Sequence, residues 1–160
     1  MLNGLDISSY YTFSEDVIGA AKFYARSIHG LNDEYVRVTS RLYLPSRKLR
    51  GFKSSRVGPK DGDDWIGGNY ITALGFEAQL PNLLPEATKT DVSAFIDTGN
   101  VWAVDYSDTA DDSNKLRSSI GVAANVFTVV GPLSFIIAQD LTKANTDVTE
   151  TFNFRIGTSF

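Results

Sequence analysis

The last thirteen residues, VTETFNFRIGTSF (148–160), carry the clearest pattern in the chain. Every second side chain belongs to a mostly apolar series, and the side chains between them are polar or small. The series is Val148, Glu150, Phe152, Phe154, Ile156, Thr158 and Phe160. Alternation with a period of two predicts a β-strand with one apolar and one polar face. The chain also ends on an aromatic residue that completes the apolar face.

The same alternation recurs along most of the chain. It predicts further strands at about 5–13, 21–28, 68–80, 91–102, 118–129 and 133–141. No stretch shows the periodicity of a long helix. The sequence therefore predicts an all-β, antiparallel fold of about seven strands.

Composition narrows the possible functions. The 160 residues are 42% hydrophobic, with a net charge of -4 and an isoelectric point near 4.9. An acidic protein is poorly suited to the phosphate backbone, so we expect no nucleic-acid partner. The chain has no cysteine, which excludes a disulfide scaffold, a thiolate metal site and a thiol nucleophile.

The lengths of the connections distinguish two architectures. Short connections (14–16, 81–89, 130–132) alternate with long ones (30–67 and 104–117), and a medium one (142–147) precedes the last strand. Short turns on one rim and long loops on the other are typical of a transmembrane barrel, which is apolar outside and polar inside. A soluble β-sandwich, with its apolar faces buried, is the alternative.

The longest connection, residues 30–67, contains an arginine with two candidate partners. Arg50 lies in the loop, while Glu77 and Asp97 lie mid-strand, on faces opposite the most apolar residues. A guanidinium binds carboxylates well because its planar fork meets their oxygens in pairs. Arg50 could therefore reach one or both carboxylates on a polar inner face, although spacing alone favours an ordinary solvated loop arginine.

Other polar residues give weak signals for chemistry. Glu77 and Asp97 lack an accompanying nucleophile, and His29 is expected at a strand end. The loop acids lack the spacing of a calcium loop and are expected to be solvated; they are Asp63, Asp64, Asp105, Asp108, Asp111 and Asp112. We expect no catalytic residue, no bound metal and no cofactor, and therefore a protein that is not an enzyme.

Several segments, in order along nearly the whole chain, resemble the bacterial surface-antigen (BamA-type) family of outer-membrane barrel-assembly factors. They are Leu49-Arg50-Gly51-Phe52, Val57-Gly58-Pro59-Lys60, Gly67-Gly68-Asn69-Tyr70, Phe95-Ile96-Asp97-Thr98-Gly99-Asn100-Val101-Trp102, Arg117-Ser118-Ser119-Ile120-Gly121-Val122, Gly131-Pro132-Leu133 and the stretch Phe152 to Phe160.

The resemblance implies a sixteen-strand barrel preceded by periplasmic POTRA domains. Residues 1–160 would be the C-terminal half of such a barrel, without POTRA domains, and about seven strands are too few for a closed single-chain barrel. We therefore expect a fragment that forms a transmembrane barrel wall with two open edges. Residues 30–67 would be a loop folded into the lumen and latched by Arg50, Gly51, Phe52, Glu77 and Asp97.

The resemblance also implies a function. The expected protein folds and inserts β-barrel proteins into the bacterial outer membrane; its partners would be outer-membrane lipid, nascent β-barrel clients and accessory lipoproteins. A translocator of the same superfamily, of the two-partner-secretion type, is the alternative, and the number of upstream POTRA domains would distinguish them. A soluble β-sandwich binding module is a third possibility.

The last strand is expected to form the seam of that barrel and to carry an assembly signal. Phe152, Phe154 and Ile156 would face lipid, with Phe160 at the periplasmic rim. Gly157 interrupts the strand, and a glycine there weakens pairing and permits a bend. We therefore expect the strand to fray or bend inward from Gly157 to Phe160.

Overall fold

The computed structural model describes residues 1–31, 34–105, 110–112 and 114–157. Its main feature is a seven-stranded antiparallel sheet, with the order β1-β2-β5-β6-β7-β8-β9. The strands are β1 (Leu2–Ser14), β2 (Val17–Ile28), β3 (Lys60–Asp61), β4 (Asp64–Trp65), β5 (Tyr70–Leu80), β6 (Thr90–Trp102), β7 (Arg117–Thr128), β8 (Gly131–Thr142) and β9 (Phe152–Ile156). Strands β3 and β4 form a small separate hairpin. The predicted all-β fold of about seven sheet strands is confirmed.

Helical structure in the described part of the chain is limited to two 3-10 turns, Val38–Ser40 and Glu86–Thr88. Among those residues, no helix has the length and apolar character needed to cross a membrane. Each sheet strand pairs with its neighbour in sequence order, and β1 and β9 form the two edges. The described sheet is therefore open, as the strand count predicts.

The second strand is longer than its sequence pattern indicates. Alternation predicts a start at about residue 21, whereas β2 begins at Val17. The run Gly19-Ala20-Ala21 hides the alternation because these side chains are all small. Pairing with β1 nevertheless continues to the turn, where Ile18 faces Thr12 and Val17 faces Ser14.

The outward face of the sheet is apolar and exposed, as predicted for a barrel wall. Large hydrophobic side chains on this face come from six of the seven strands. They include Leu5, Ile7, Phe13, Phe76, Ile96, Ile120, Val122, Phe135, Ile137, Phe152, Phe154 and Ile156. A face with this many exposed large hydrophobic side chains is unusual for a soluble monomer and is suited to contact with lipid.

Part of the inner face is covered by the connection between β2 and β5, which we call the arginine loop (residues 29–69). Its buried side chains Leu44, Leu49, Phe52 and Val57 form a hydrophobic cluster. They pack on three sheet residues, Ile71, Ala73 and Val101. The inner face is therefore not polar throughout: the sheet residues that meet the loop are apolar or small.

The last strand is shorter than predicted. Alternation predicts pairing from Val148 onward, but β9 begins at Phe152. Residues 147–151, which we call the pre-β9 segment, form a bridge with the arginine loop, where Thr149 pairs with Phe52. The start of the predicted strand thus has a different partner, which local periodicity does not reveal.

Candidate functional site: the arginine loop and its anchors

Arg50 lies on the inner face of the sheet, bonded to both carboxylates that the sequence indicates. Its Nε and Nη2 donate to the two oxygens of Asp97, at 2.7 and 2.8 Å. Its Nη1 donates to Glu77 Oε2 at 2.6 Å, and its backbone N–H donates to Asp97 Oδ2 at 3.0 Å. The fork therefore binds Asp97 bidentately and uses its remaining arm for Glu77.

The sheet positions these carboxylates through its register. Asp97 on β6 faces Gly75 on β5, and Glu77 faces Phe95. A Cβ added at Gly75 would lie 2.9 Å from Asp97 Oδ1, so glycine leaves the space that the carboxylate occupies. The Asp97 and Glu77 side chains are 3% and 11% exposed, and both need a cationic partner at this burial.

Two further contacts fix the arginine. Its guanidinium lies over the ring of Phe95, with 3.6 Å between Cζ and the ring centroid, which adds a cation–π attraction. Its backbone carbonyl accepts a hydrogen bond from the Ser119 hydroxyl on β7. Arg50 thus touches three neighbouring strands, so the loop cannot shift along the inner face without breaking contacts to each of them.

The residues that follow Arg50 allow the close approach of the loop. Gly51 has a φ of +89°, in the region that side-chain-bearing residues rarely adopt. A Cβ there would lie 3.0 Å from the Cβ of Ala138 and 3.3 Å from that of Ser119. Phe52 is 2% exposed and lies in the hydrophobic cluster. All five residues predicted for the latch are therefore brought together.

The charge of Arg50 is secured by this environment. Burial alone would lower the pKa of its guanidinium, but the hydrogen bonds and negative charges of Asp97 and Glu77 outweigh burial and raise the pKa above its ordinary value. Lys22 Nζ also lies 3.8 Å from Glu77 Oε2. The site is thus a compact charge cluster on the inner wall.

A second ion pair was missed by the sequence reasoning. Arg117 on β7 and Asp147 are both fully buried, with Nε–Oδ2 and Nη2–Oδ1 distances of 2.8 and 3.1 Å. Arg117 also donates to Asn100 Oδ1, and Asp147 accepts from the backbone N–H of Gly58 and Ala144. The alternation of β7 places Arg117 on the inner face and could have indicated a partner; nothing local indicates Asp147.

A third pair corrects the expectation that Asp105 is merely solvated. Its carboxylate accepts hydrogen bonds from Arg41 and from the Val36 backbone N–H. Burial would raise the pKa of Asp105, but these donors and the charge of Arg41 hold it below its ordinary value of 3.8. Asp105 therefore fixes the first part of the arginine loop to the end of β6.

The remaining polar candidates from the sequence are His29 and the loop acids. Within residues 1–31, 34–105, 110–112 and 114–157, no group of His, Cys, Asp and Glu side chains is arranged to hold a metal ion. His29 lies at the rim, where Nε2 is 2.7 Å from the Tyr70 hydroxyl. Asp108 lies outside the described residues.

The predicted seam residues lie at the edge of the sheet. Phe152, Phe154 and Ile156 are exposed on the outward face. Gly157 has a φ of +100°, yet its N–H still donates to Pro132 O at 2.9 Å. One backbone hydrogen bond to β8 therefore persists at Gly157, just after β9 ends at Ile156. The rest of the segment predicted to fray or bend inward, residues 158–160 with Phe160, lies outside the described part.

Comparison with known proteins identifies the family. Residues 4–160 match the Omp85 superfamily domain. The chain belongs to the Omp85 superfamily.

Members of the Omp85 superfamily that resemble this chain include outer membrane protein assembly factors. BamA of Neorickettsia risticii is 31% identical over 139 residues, which are 85% of this chain and 19% of that protein. BamA of Neisseria meningitidis serogroup B is 28% identical over 141 residues, or 70% and 17%. A SAM50-like protein of Schizosaccharomyces pombe is 38% identical over 64 residues, or 39% and 14%. The chain spans about a fifth of the length of these BamA relatives.

The Omp85 fold is also found by structural comparison. The crystal structure of BamA from Haemophilus ducreyi lacking POTRA domains 1–3 superposes with a TM-score of 0.84 at 23% identity. The match covers 96% of this chain and 34% of that one. The seven-stranded sheet and its inward loop therefore have the architecture of part of an Omp85 barrel.

Proposed function

We propose that this chain is part of the barrel domain of an outer-membrane protein assembly factor, which folds and inserts β-barrel proteins into the bacterial outer membrane. The observation that carries the proposal is its similarity to BamA over 85% of the chain, joined to a sheet with an apolar outer face. In this proposal residues 1–160 are the C-terminal half of a sixteen-strand barrel, and POTRA domains precede it in the full-length protein.

The mechanism that we propose uses backbone chemistry rather than catalysis by side chains. Strand β9 lies at a sheet edge, where its outward N–H and C=O groups can pair with an added strand. A nascent barrel strand would add there and then pass into lipid along the apolar face. The protein would thus be an insertase, not an enzyme, and its partners would be nascent barrels, outer-membrane lipid and accessory lipoproteins.

In the same proposal the arginine loop is a structural latch. It covers part of the inner face and is bound by charge-assisted hydrogen bonds from Arg50 to Asp97 and Glu77. A latched loop would hold β5, β6 and β7 together from inside while a client strand pairs at the β9 edge. A two-partner-secretion translocator is less well supported, because the relatives described above are two assembly factors and a SAM50-like protein.

Reconstitution of the full-length protein tests this function. The protein would be inserted into liposomes, and an unfolded β-barrel client would be added. We expect the client to become heat-modifiable and protease-resistant faster than in protein-free liposomes. Export of a soluble partner into the liposome lumen, without client folding, would instead identify a translocator.

A further inference from the structure

The pre-β9 segment is hydrogen-bonded through its backbone to the arginine loop. The Val148 N–H donates to Arg56 O at 3.0 Å, and Val148 O accepts from the Lys53 N–H at 2.9 Å. The Glu150 N–H donates to Gly51 O at 2.9 Å. The loop therefore pairs with this segment as one β-strand pairs with another.

The direction of these bonds identifies the edge that the loop covers. The Ala138 N–H donates to Thr151 O at 2.8 Å, and the Gly157 N–H donates to Pro132 O at 2.9 Å, so odd-numbered residues point their backbone groups at β8. In an antiparallel ladder the intervening residues point the other way. The even-numbered residues from 148 to 156 therefore form the free edge, and the loop covers its beginning.

We propose that the arginine loop caps the beginning of this edge and so sets where an added strand can pair. An extended polypeptide with alternating apolar side chains can pair along Phe152–Ile156. It reaches Val148 and Glu150 only after residues 51–56 of the loop have withdrawn. This proposal rests on the proposed function, in which the β9 edge receives strands.

Asp147 is the positioning residue for the cap. It is fully buried and joins three parts of the chain: Arg117 on β7, Gly58 in the loop and Ala144 after β8. Through Gly58 it holds the loop, and through its own backbone it holds the start of the pre-β9 segment. A second tie, from Arg155 to the Ser46 hydroxyl at 3.2 Å, joins β9 to the loop farther along.

Cysteine reactivity at matched edge positions tests the cap. These 160 residues contain no cysteine, so Val148→Cys or Phe154→Cys introduces one thiol into this part of the full-length protein, with any cysteine elsewhere replaced. The probe is a synthetic peptide with the sequence of residues 151–160, carrying one cysteine, and copper phenanthroline is added as the oxidant for disulfide formation. We expect a disulfide with position 154, and a rate at least about tenfold lower at position 148, because the loop must first give up three hydrogen bonds.

Two variants then disrupt the buried Asp147–Arg117 ion pair that positions the cap. Asp147→Asn removes one charge, and Arg117→Gln with Asp147→Asn removes both, which avoids leaving an unpaired buried guanidinium. Each should raise the rate at position 148 to that at position 154 without changing the latter. Asp140→Asn is the matched control, since in the described structure that carboxylate contacts Lys143 and Gln139, at the end of β8, and not the arginine loop. Only folded, heat-modifiable protein is scored.

The outcomes separate the two proposals. Equal rates at positions 148 and 154 in the otherwise unchanged protein would overturn the cap, and so would variants that fold but leave position 148 slow. No reaction at position 154 in any protein would instead overturn strand addition at β9, and with it the proposed function.

Discussion

Replacing Arg50 with alanine in the full-length protein is the most direct test of the latch. The change removes all three side-chain hydrogen bonds to Asp97 and Glu77 and the stacking on Phe95. It leaves two largely buried carboxylates without their cation. Lys22, 3.8 Å from Glu77, can compensate only one of them.

The burial of the carboxylates sets the expected magnitude. A partly wet pair would contribute about 1–3 kcal/mol, whereas removing one partner of a buried pair costs about 3–5 kcal/mol. Since the Asp97 side chain is 3% exposed, we expect about 3 kcal/mol, which would make the undocked loop roughly 100-fold more populated. Arg50→Lys keeps the positive charge but loses the planar guanidinium, so it should restore only part of the lost free energy of loop docking.

Chymotrypsin cleavage after Phe52 measures loop opening, because the altered residue lies on neither side of the cleaved bond. The cleavage rate should rise with the population of the open loop, and client folding should slow while the barrel remains heat-modifiable. Arg47→Ala is the matched control, because this exposed neighbour has no ion pair in the described structure. Cleavage and client folding equal to those of the unchanged protein would refute the latch.

Three further changes follow from the same contacts. Asp97→Asn should loosen the loop more than Glu77→Gln in the same cleavage assay, because Asp97 accepts three of the four hydrogen bonds from Arg50; the reverse order would contradict the geometry. Gly51→Ala should destabilise loop docking by about 1–3 kcal/mol more than Gly62→Ala, measured by hydrogen exchange, because both positions have positive φ but only Gly51 is crowded. Because the pKa of Asp105 is depressed in the folded protein, its contribution to the stability of the docked loop is present above about pH 4 and is lost as the pH falls through the folded-state pKa. Hydrogen-exchange protection of residues 36–41 should therefore fall as the pH is lowered through that pKa. The Asp105→Asn variant should not show this pH-dependent loss.

The strands and their faces could be predicted because each depends on residues near in sequence. Side chains of a strand alternate between two faces, so the patterns around Phe76, Ile96 and Phe154 already indicate which side is apolar and faces outward. The alternation also places Glu77 and Asp97 on the inner face. Their need for a cation follows from burial, and Arg50 stood out because its loop is long and basic.

The hydrophobic cluster under the loop could not be predicted in the same way. Leu44, Leu49 and Val57 have no periodicity of their own, and their burial depends on where the loop folds back. The inner-face residues Ile71 and Val101 are apolar because they meet that loop. Alternation shows only that a side chain points inward. It does not show that part of the inner face is covered by the loop and part is open.

What the sequence by itself determined is the all-β class, the number of sheet strands, their inward and outward faces and the position of Glu77 and Asp97 on the inner face. The tertiary structure alone decided that Asp147 pairs with Arg117 and that Val148 and Glu150 bond to the arginine loop instead of extending β9. The physical reason is the distance in sequence over which each feature is set. Alternation between neighbouring residues specifies the face of a side chain, whereas a backbone hydrogen bond is made to whichever segment the fold places beside it. Residues 51–56 lie almost 100 positions away in the chain, and only folding brings them to that edge.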